Sequence, residues 1–236
     1  MSQLNQFGQL IGDALPDWQP RPRPERVVLE GKFCRLEPLS LVHADALFAA
    51  HQQATDTRNW TWLLREPESS VEEYRQWVAS VENLQDPVHF AVIDRQTNLP
   101  VGSLALMRID PNNGVMEVGH VHFSPLLSRT PASTEAQWLL MRYAFDTLGY
   151  RRYEWKCNSF NDPSRKAALR LGFQFEGHFR QALVIKGHNR DTDWFSIIDG
   201  EWSALNAAFQ KWLAADNFTA DGKQRHTLES LRQLSA

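Results

Sequence analysis

The chain has 236 residues and a net charge of −3, and its apolar and charged fractions are those of an ordinary globular protein with one large domain or two small ones. The acidic balance argues against a general nucleic-acid binder. Two distant cysteines, Cys34 and Cys157, argue against a disulfide framework or a zinc ribbon, and no apolar run reaches the roughly 18 residues of a membrane span. The first residues lack the charged and apolar regions of a signal peptide, so a reducing cytoplasm is the expected compartment.

Residues 1–26 hold Pro16, Pro20, Pro22 and Pro24, which exclude a regular helix. They also hold Phe7, Leu10, Ile11, Leu15 and Trp18, so an arm packed on the body is expected. Val27–Leu36 reads as a strand with a turn at Glu30-Gly31. Ser40–Gln52 reads as a helix with Ser40 as N-cap. Ser70–Leu84 reads as a second helix, opened by a Ser70/Glu73 capping box. His89–Asp94 and Val101–Ile109 are the next strands. Asp110–Gly114 is a hairpin turn whose Asn113-Gly114 pair suits positive φ, and Val115–Phe123 is the partner strand. A helix over Pro131–Leu148 stops at Gly149. A strand over 151–157, a short helix after Asn161, a hairpin of Phe173–Ile185 with Arg190–Ile198, and a helix over Glu201–Ala214 complete the series. From Asp216 the chain is polar. One mixed α/β domain over 27–199 is expected, with a C-terminal helix and tail over 200–236.

Two strand-to-helix junctions carry the chemistry. In the first, Thr130 is a good N-cap, Pro131 suits the first helical position, and Ala132, Ser133 and Thr134 follow, with Arg129 adjacent. Free N–H groups and the helix dipole would favour an anion there, although a well-capped helix explains the same residues. In the second, Asn158, Asn161 and Ser164 surround a turn in which Asp162 can cap and Pro163 can start the helix. Asparagines suit an amide-bearing ligand, and they also suit turns. If the two strands are neighbours, both helix starts face one edge of the sheet, a shape suited to coenzyme A.

The motifs Glu117-Val-Gly119, Arg129-Thr-Pro-Ala-Ser-Thr134, Asn158-x-x-Asn161-x-x-Ser164, Leu171-Gly-Phe173 and Glu176-Gly177 resemble the GCN5-related N-acetyltransferase superfamily, and within it the RimJ/RimL type. The resemblance spans about Val27 to Ile198. It implies an α/β fold with a twisted mixed sheet splayed between its fourth and fifth strands, where acetyl-CoA lies. The phosphate loop departs from the superfamily pattern Arg/Gln-x-x-Gly-x-Gly/Ala by having Ala132 and Thr134 at the two small positions.

The resemblance further implies direct attack of an amine, from a protein N-terminus or a small molecule, on the thioester. A backbone N–H near Val118–His120 would hold the oxyanion and Ser164 would protonate the leaving thiolate. Glu117 or His120 would take the amine proton, and strand alternation sets His120 and His122 on one face and Glu117 on the other. The His-x-His pair has no evident third ligand, so no metal is expected.

Arg165, Lys166 and Arg170 would either meet the 3′-phosphate or form a solvated helix face. Asp191 or Asp193 would face a cationic acceptor, and Trp60 and Trp62 would wall the acceptor side. Trp202 and Trp212 would be homodimer contacts or core. The rival reading is a non-catalytic acyl-CoA-binding module.

Overall fold

Strand β5 (Val88–Asp94) is apolar on both faces, and in the computed structural model, which describes residues 3–233, both faces are covered. Val88, Phe90 and Val92 enter the main core, while Ala91 and Ile93 join Leu39, Leu47, Tyr74 and Val78 in a second cluster on the other side. Such a strand belongs inside a two-sided sheet.

The sheet has eight strands in the order β3-β4-β5-β6-β7-β8-β10-β9. They are β3 (Leu29–Glu30), β4 (Cys34–Pro38), β5, β6 (Pro100–Asp110), β7 (Val115–Phe123), β8 (Arg152–Asn158), β9 (Gln174–Ile185) and β10 (His188–Ile198). Every neighbour pair is antiparallel except β7 with β8. That parallel pair needs a crossover, which α3 (Pro131–Arg142) supplies. Helices α1 (Ala44–His51) and α2 (Val71–Val81) cover one face. On the other lie α3, α4 (Asp162–Leu171) and α5 (Asp199–Leu213).

Several local outcomes differ from the sequence expectation. The helix expected over Pro131–Leu148 changes pitch after Arg142 into a π-helical turn, Tyr143–Thr147, in which Leu148 N–H donates to Tyr143 O at 3.0 Å. Gly149, at φ 69°, then ends it. In the β6–β7 turn only Gly114 takes positive φ, 61°. Asn113 is instead held by Asp110, whose carboxylate accepts its backbone N–H at 3.1 Å and its Nδ2 at 2.7 Å. The capping box of α2 is shifted: Ser70 accepts Glu73 N–H, but the Glu73 carboxylate reaches Ser69 N–H at 2.8 Å.

The N-terminal arm meets the body from Trp18 onward. Trp18 Nε1 donates to Asn112 O at 2.8 Å, and its ring fills the space that a Cβ on Gly114 would take. Glu25 N–H donates to Tyr143 Oη at 2.9 Å. Upstream, β1 (Gln3–Leu4) pairs with β2 (Leu10–Ile11), and Phe7, Leu10, Ile11 and Leu15 remain exposed. They do not pack on the body as expected.

The polar tail is built as structure. Phe218 packs edge-on against Phe33 and Trp212, and α6 (Leu228–Gln233) buries Leu228 and Leu231 in the main core. Trp202 stacks on Phe145, and Trp212 donates to Gln224 at 2.8 Å. Both are buried within the chain, so of the two readings core packing accounts for them. Among the described residues, no helix is long and apolar enough to cross a membrane.

Glu176 marks the far half of the sheet. Arg152 clamps it with two contacts, at 2.7 and 2.5 Å, and Ser196 adds a third at 2.7 Å. Arg152, ahead of the other contacts, holds Glu176 down at about 2. The stability this confers is present above the ordinary carboxylate value of about 4.3 and is lost as pH falls through about 2. The carboxylate is partly exposed, so solvent screening limits Glu176→Gln to a cost of about 1 kcal/mol at pH 7. Urea melts should show the gap to wild type narrowing as pH drops from about 4 toward 2.

Candidate active site

β7 and β8 are in register over only four residue pairs, Val115↔Arg152 to Val118↔Trp155. Beyond them β7 continues to Phe123 and β8 to Asn158 without pairing to each other. A cavity of about 1140 Å³ occupies this splay. Glu117–Val121 of β7, Trp155–Asn158 of β8, and the first turns of α3 and α4 line it.

A bulge shapes the β7 wall. Gly119 pairs with Ala105 and His122 with Ser103, so His120 and Val121 together oppose Leu104. His120 sits at φ 49°, a left-handed value that is uncommon outside glycine and serves such an inserted residue. The inserted residue overturns the expected alternation. Met116 and Val118 face the α3 core, whereas the His120 ring lies 5.0 Å from His89 and His122 stacks on His51 at 3.7 Å. Glu117, His120 and His122 therefore share the α1/α2 side of the strand.

His120 lines the cavity and His122 does not; Trp60 closes over His122 at 4.3 Å. Burial pushes His51 down to about 4, His89 to about 3 and His122 to about 2, and it lowers His120 as well. Burial thus favours the neutral form of all four rings. Arg65 stands over the Trp77 ring at 3.8 Å and pairs with Glu68. The segment bearing Trp60 continues into the cavity through Trp62, Leu63 and Leu64.

Glu117 is 5% exposed and meets Lys156 Nζ at 2.8 Å and Arg108 Nε at 3.3 Å. Lys156 also meets Glu154 at 2.8 Å and lies over the Trp194 ring. Burial raises the proton affinity of Glu117 above the ordinary value, and the Lys156 contact opposes it without cancelling it.

Asn161, not Asp162, caps α4, with its Oδ1 accepting Ser164 N–H at 3.2 Å. Asn158 Oδ1 accepts Phe160 N–H at 2.9 Å. Both amide oxygens are thus used by the turn, and neither Nδ2 donates to an acceptor among the described residues. Ser164 Oγ accepts from Trp155 Nε1 at 3.0 Å, which leaves its own proton to donate beside Cys157.

At the start of α3, Thr130 Oγ1 accepts Ser133 N–H at 3.3 Å and Ser133 Oγ donates to Thr130 O at 2.7 Å. Arg129 stands at φ 64°. Ser128, Arg129, Thr130, Pro131, Ser133 and Thr134 line the cavity, whereas the Ala132 side chain belongs to the core. Thr134 Oγ1 accepts from Arg170 Nη2 at 2.7 Å.

Arg170 thereby separates from its two neighbours in sequence, since Arg165 pairs with Asp193 and Lys166 with Asp162. Asp193 is also held by His178, and Asp191 accepts Gln181 N–H and pairs with His178. Neither aspartate lines the cavity, contrary to expectation; the cavity wall on that hairpin bears Arg180 and Arg190. Sequence reasoning also missed the C-terminal segment Gly222–Gln224 at the α4 end, and Arg108 and Lys156 around Glu117. Only the placement of Glu154 and Lys156 on one strand face hinted at that charge network. Among the described residues, no group of three or more His, Cys, Asp or Glu is arranged to hold a metal ion.

Residues 34–174 match the family model described as an acetyltransferase (GNAT) domain. A GCN5-related N-acetyltransferase from Brucella melitensis is 51% identical, superposes with a TM-score of 0.91, and covers 93% of this chain and 100% of its own. An uncharacterised N-acetyltransferase of Bacillus licheniformis is 28% identical over 171 residues, which is 71% of this chain and 94% of that protein. An acetyltransferase from Salmonella typhimurium, which modifies the N-terminal serine of a 50S ribosomal subunit protein, shares the fold with a TM-score of 0.63 at 21% identity, covering 73% of this chain and 99% of its own. With a family model spanning more than half of its length and the splayed sheet to match, this chain belongs to the GCN5-related N-acetyltransferase family and is an acetyl-transferring enzyme.

Proposed function

We propose that the enzyme moves the acetyl group of acetyl-CoA directly to a primary amine inside the β7–β8 splay. The observation that carries this is the end of β7–β8 pairing at Val118 and Trp155, which opens a cavity flanked by two helix N-termini. The α3 terminus, with Arg129, Thr130, Ser133, Thr134 and Arg170, suits a pyrophosphate. Ala132 contributes backbone only, since its side chain is in the core. The spare Nδ2 donors of Asn158 and Asn161 suit the carbonyls of an amide-bearing arm. The thioester supplies an activated acyl carbon when bound, and the β7 backbone beyond Val118, no longer paired with β8, is suited to hydrogen-bond its carbonyl oxygen.

Glu117 is assigned the amine proton in preference to His120. Burial strengthens the hold of the carboxylate on a proton and weakens that of the imidazole. Ser164 is assigned to the leaving sulfur, because its Oγ accepts from Trp155 and its own proton is directed at a sulfur, that of Cys157, in the cavity wall. The acceptor class is a primary amine, from a protein N-terminus or a small molecule. Incubation of the purified enzyme with acetyl-CoA and a panel of amines, followed by free-thiol release and mass spectrometry, tests the reading; tight binding of acetyl-CoA without transfer to any amine would refute it. Ser164→Ala is expected to lower kcat by about 10²-fold with little change in the KM for acetyl-CoA, measured by thiol release.

A further inference from the structure

We infer that the acceptor is a small molecule bearing a carboxylate near its amine, and that Arg190 of β10 receives that carboxylate. The inference rests on the transfer reading above. Among the described residues Glu117 is the one acidic side chain lining the cavity, and Lys156 and Arg108 already compensate it. Arg190 lines the same cavity, its guanidinium has no hydrogen bond or ion pair among the described residues, and its Nε is buried without a partner. A partly buried guanidinium with an unpartnered Nε is costly, and burial lowers its proton affinity accordingly. An anionic ligand would remove that cost, and the planar fork of arginine matches a carboxylate.

The position of Arg190 separates this anion from the phosphates of the donor. Arg190, Thr192 and Trp194 alternate along β10, whose register with β9 shifts between Arg190 and Thr192, and Trp194 pairs with Lys156, its ring 3.8 Å from Lys156 Nζ. Trp155 and Cys157 point the other way, toward Ser164 and α4. Arg190 also feels Cys157, and after it the charges of Glu117 and Arg108. It therefore stands on the side of the splay where the amine would meet Glu117, away from the α3 terminus. A tie across the top of that side favours a small acceptor over a polypeptide. Lys186, at the tip of the β9–β10 hairpin, donates to Trp60 O at 2.9 Å and meets Glu66 at 3.1 Å, tying the hairpin to the segment that carries Trp62. In the reaction the amine nitrogen bonds to the acyl carbon as the carbon–sulfur bond breaks. One amine proton passes to Glu117, and the thiolate takes a proton through Ser164.

The test compares free amino acids with their carboxamides, together with short peptides, as acceptors for the full chain with acetyl-CoA. Wild type should prefer carboxylate over carboxamide by about 10–10²-fold in kcat/KM, the fold-change expected of a charged hydrogen-bonded pair. Arg190→Gln should reduce that ratio to near one, and Arg190→Lys should leave it intermediate. Calorimetry with acetyl-CoA checks that each variant is folded and separates the two readings. Acetyl-CoA bound and transferred equally to acids and amides, or an unchanged ratio in Arg190→Gln, overturns the role of Arg190 but not acetyl transfer. Preference for peptides over free amino acids overturns the small acceptor. Failure of wild type to bind acetyl-CoA overturns the transfer reading and this proposal with it.

Discussion

Glu117→Gln is expected to lower kcat/KM by about 10²–10⁴-fold, the span of a general base. The acceptor must lose a proton before it attacks, and amines hold theirs with pKa values of about 7.7 to 10.4. In the proposed mechanism Glu117 takes it, buried in the cavity wall with Lys156 and Arg108 beside it. Because burial raises its pKa, the active carboxylate form is lost on acidification at a higher pH than an ordinary glutamate would show. The wild-type pH–rate profile should therefore carry an acid limb above the usual carboxylate range of about 4.3. The variant should lack that limb and track only the deprotonation of the amine itself. Lys156 keeps Glu154 at 2.8 Å, so the substitution should leave the fold in place, which thermal melting checks. A variant with wild-type rate and profile would remove Glu117 from the chemistry and turn attention to His120.

Glu135→Ala should destabilise the fold by about 3–5 kcal/mol, several times the cost of Glu176→Gln. Glu135 lies on α3, 1% exposed, and its carboxylate accepts Lys32 N–H at 2.7 Å, Phe33 N–H at 2.6 Å and Cys34 N–H at 2.8 Å. These are the donors of the β3–β4 turn, so one side chain ties the sheet edge to the crossover helix. Removing it leaves three backbone donors without an acceptor, each costing about 1–3 kcal/mol where water cannot reach. Gly31 belongs to the same arrangement, since a Cβ there would stand 2.6 Å from the Glu135 carboxyl group. At about 2–4 °C per kcal/mol for a chain of this size, the midpoint should fall by roughly 10 °C or more in calorimetry. Glu135→Gln keeps one acceptor oxygen and should lose less. A shift of a degree or two for the alanine variant would show that the turn stands without this anchor.

The framework was legible because it is written in local chemistry. Val115–Phe123 alternates between a hairpin turn and a proline, and the strand has those limits. Thr130-Pro131 announced the start of α3, and its N-cap is Thr130. The family motifs located both walls of the splay. What escaped depended on partners distant in sequence. Nothing in Gly-His-Val-His marks His120 for a left-handed backbone, so the bulge that gathers Glu117 and His120 on one side was invisible. Asn161 and Asp162 are both good caps, and neighbouring geometry chose between them. Asp193 looked available, yet Arg165 and His178, 28 and 15 residues away, hold it. Leu228 and Leu231 are too few to signal a helix within a polar tail, yet the surface left by α4 and α5 buries both.

The four-pair seam between β7 and β8 has a thermodynamic consequence. It joins one half-sheet, β3–β7, to another, β8–β10, through a contact far shorter than the strands that make it. Any ligand seated in the splay touches both halves and is present only in the joined state. By linkage it adds about 2.7 kcal/mol to the folded state at a concentration one hundred times its dissociation constant. If the donor binds there as proposed, it acts as a removable rung of the sheet, and the cohesion of the enzyme follows the supply of its own substrate.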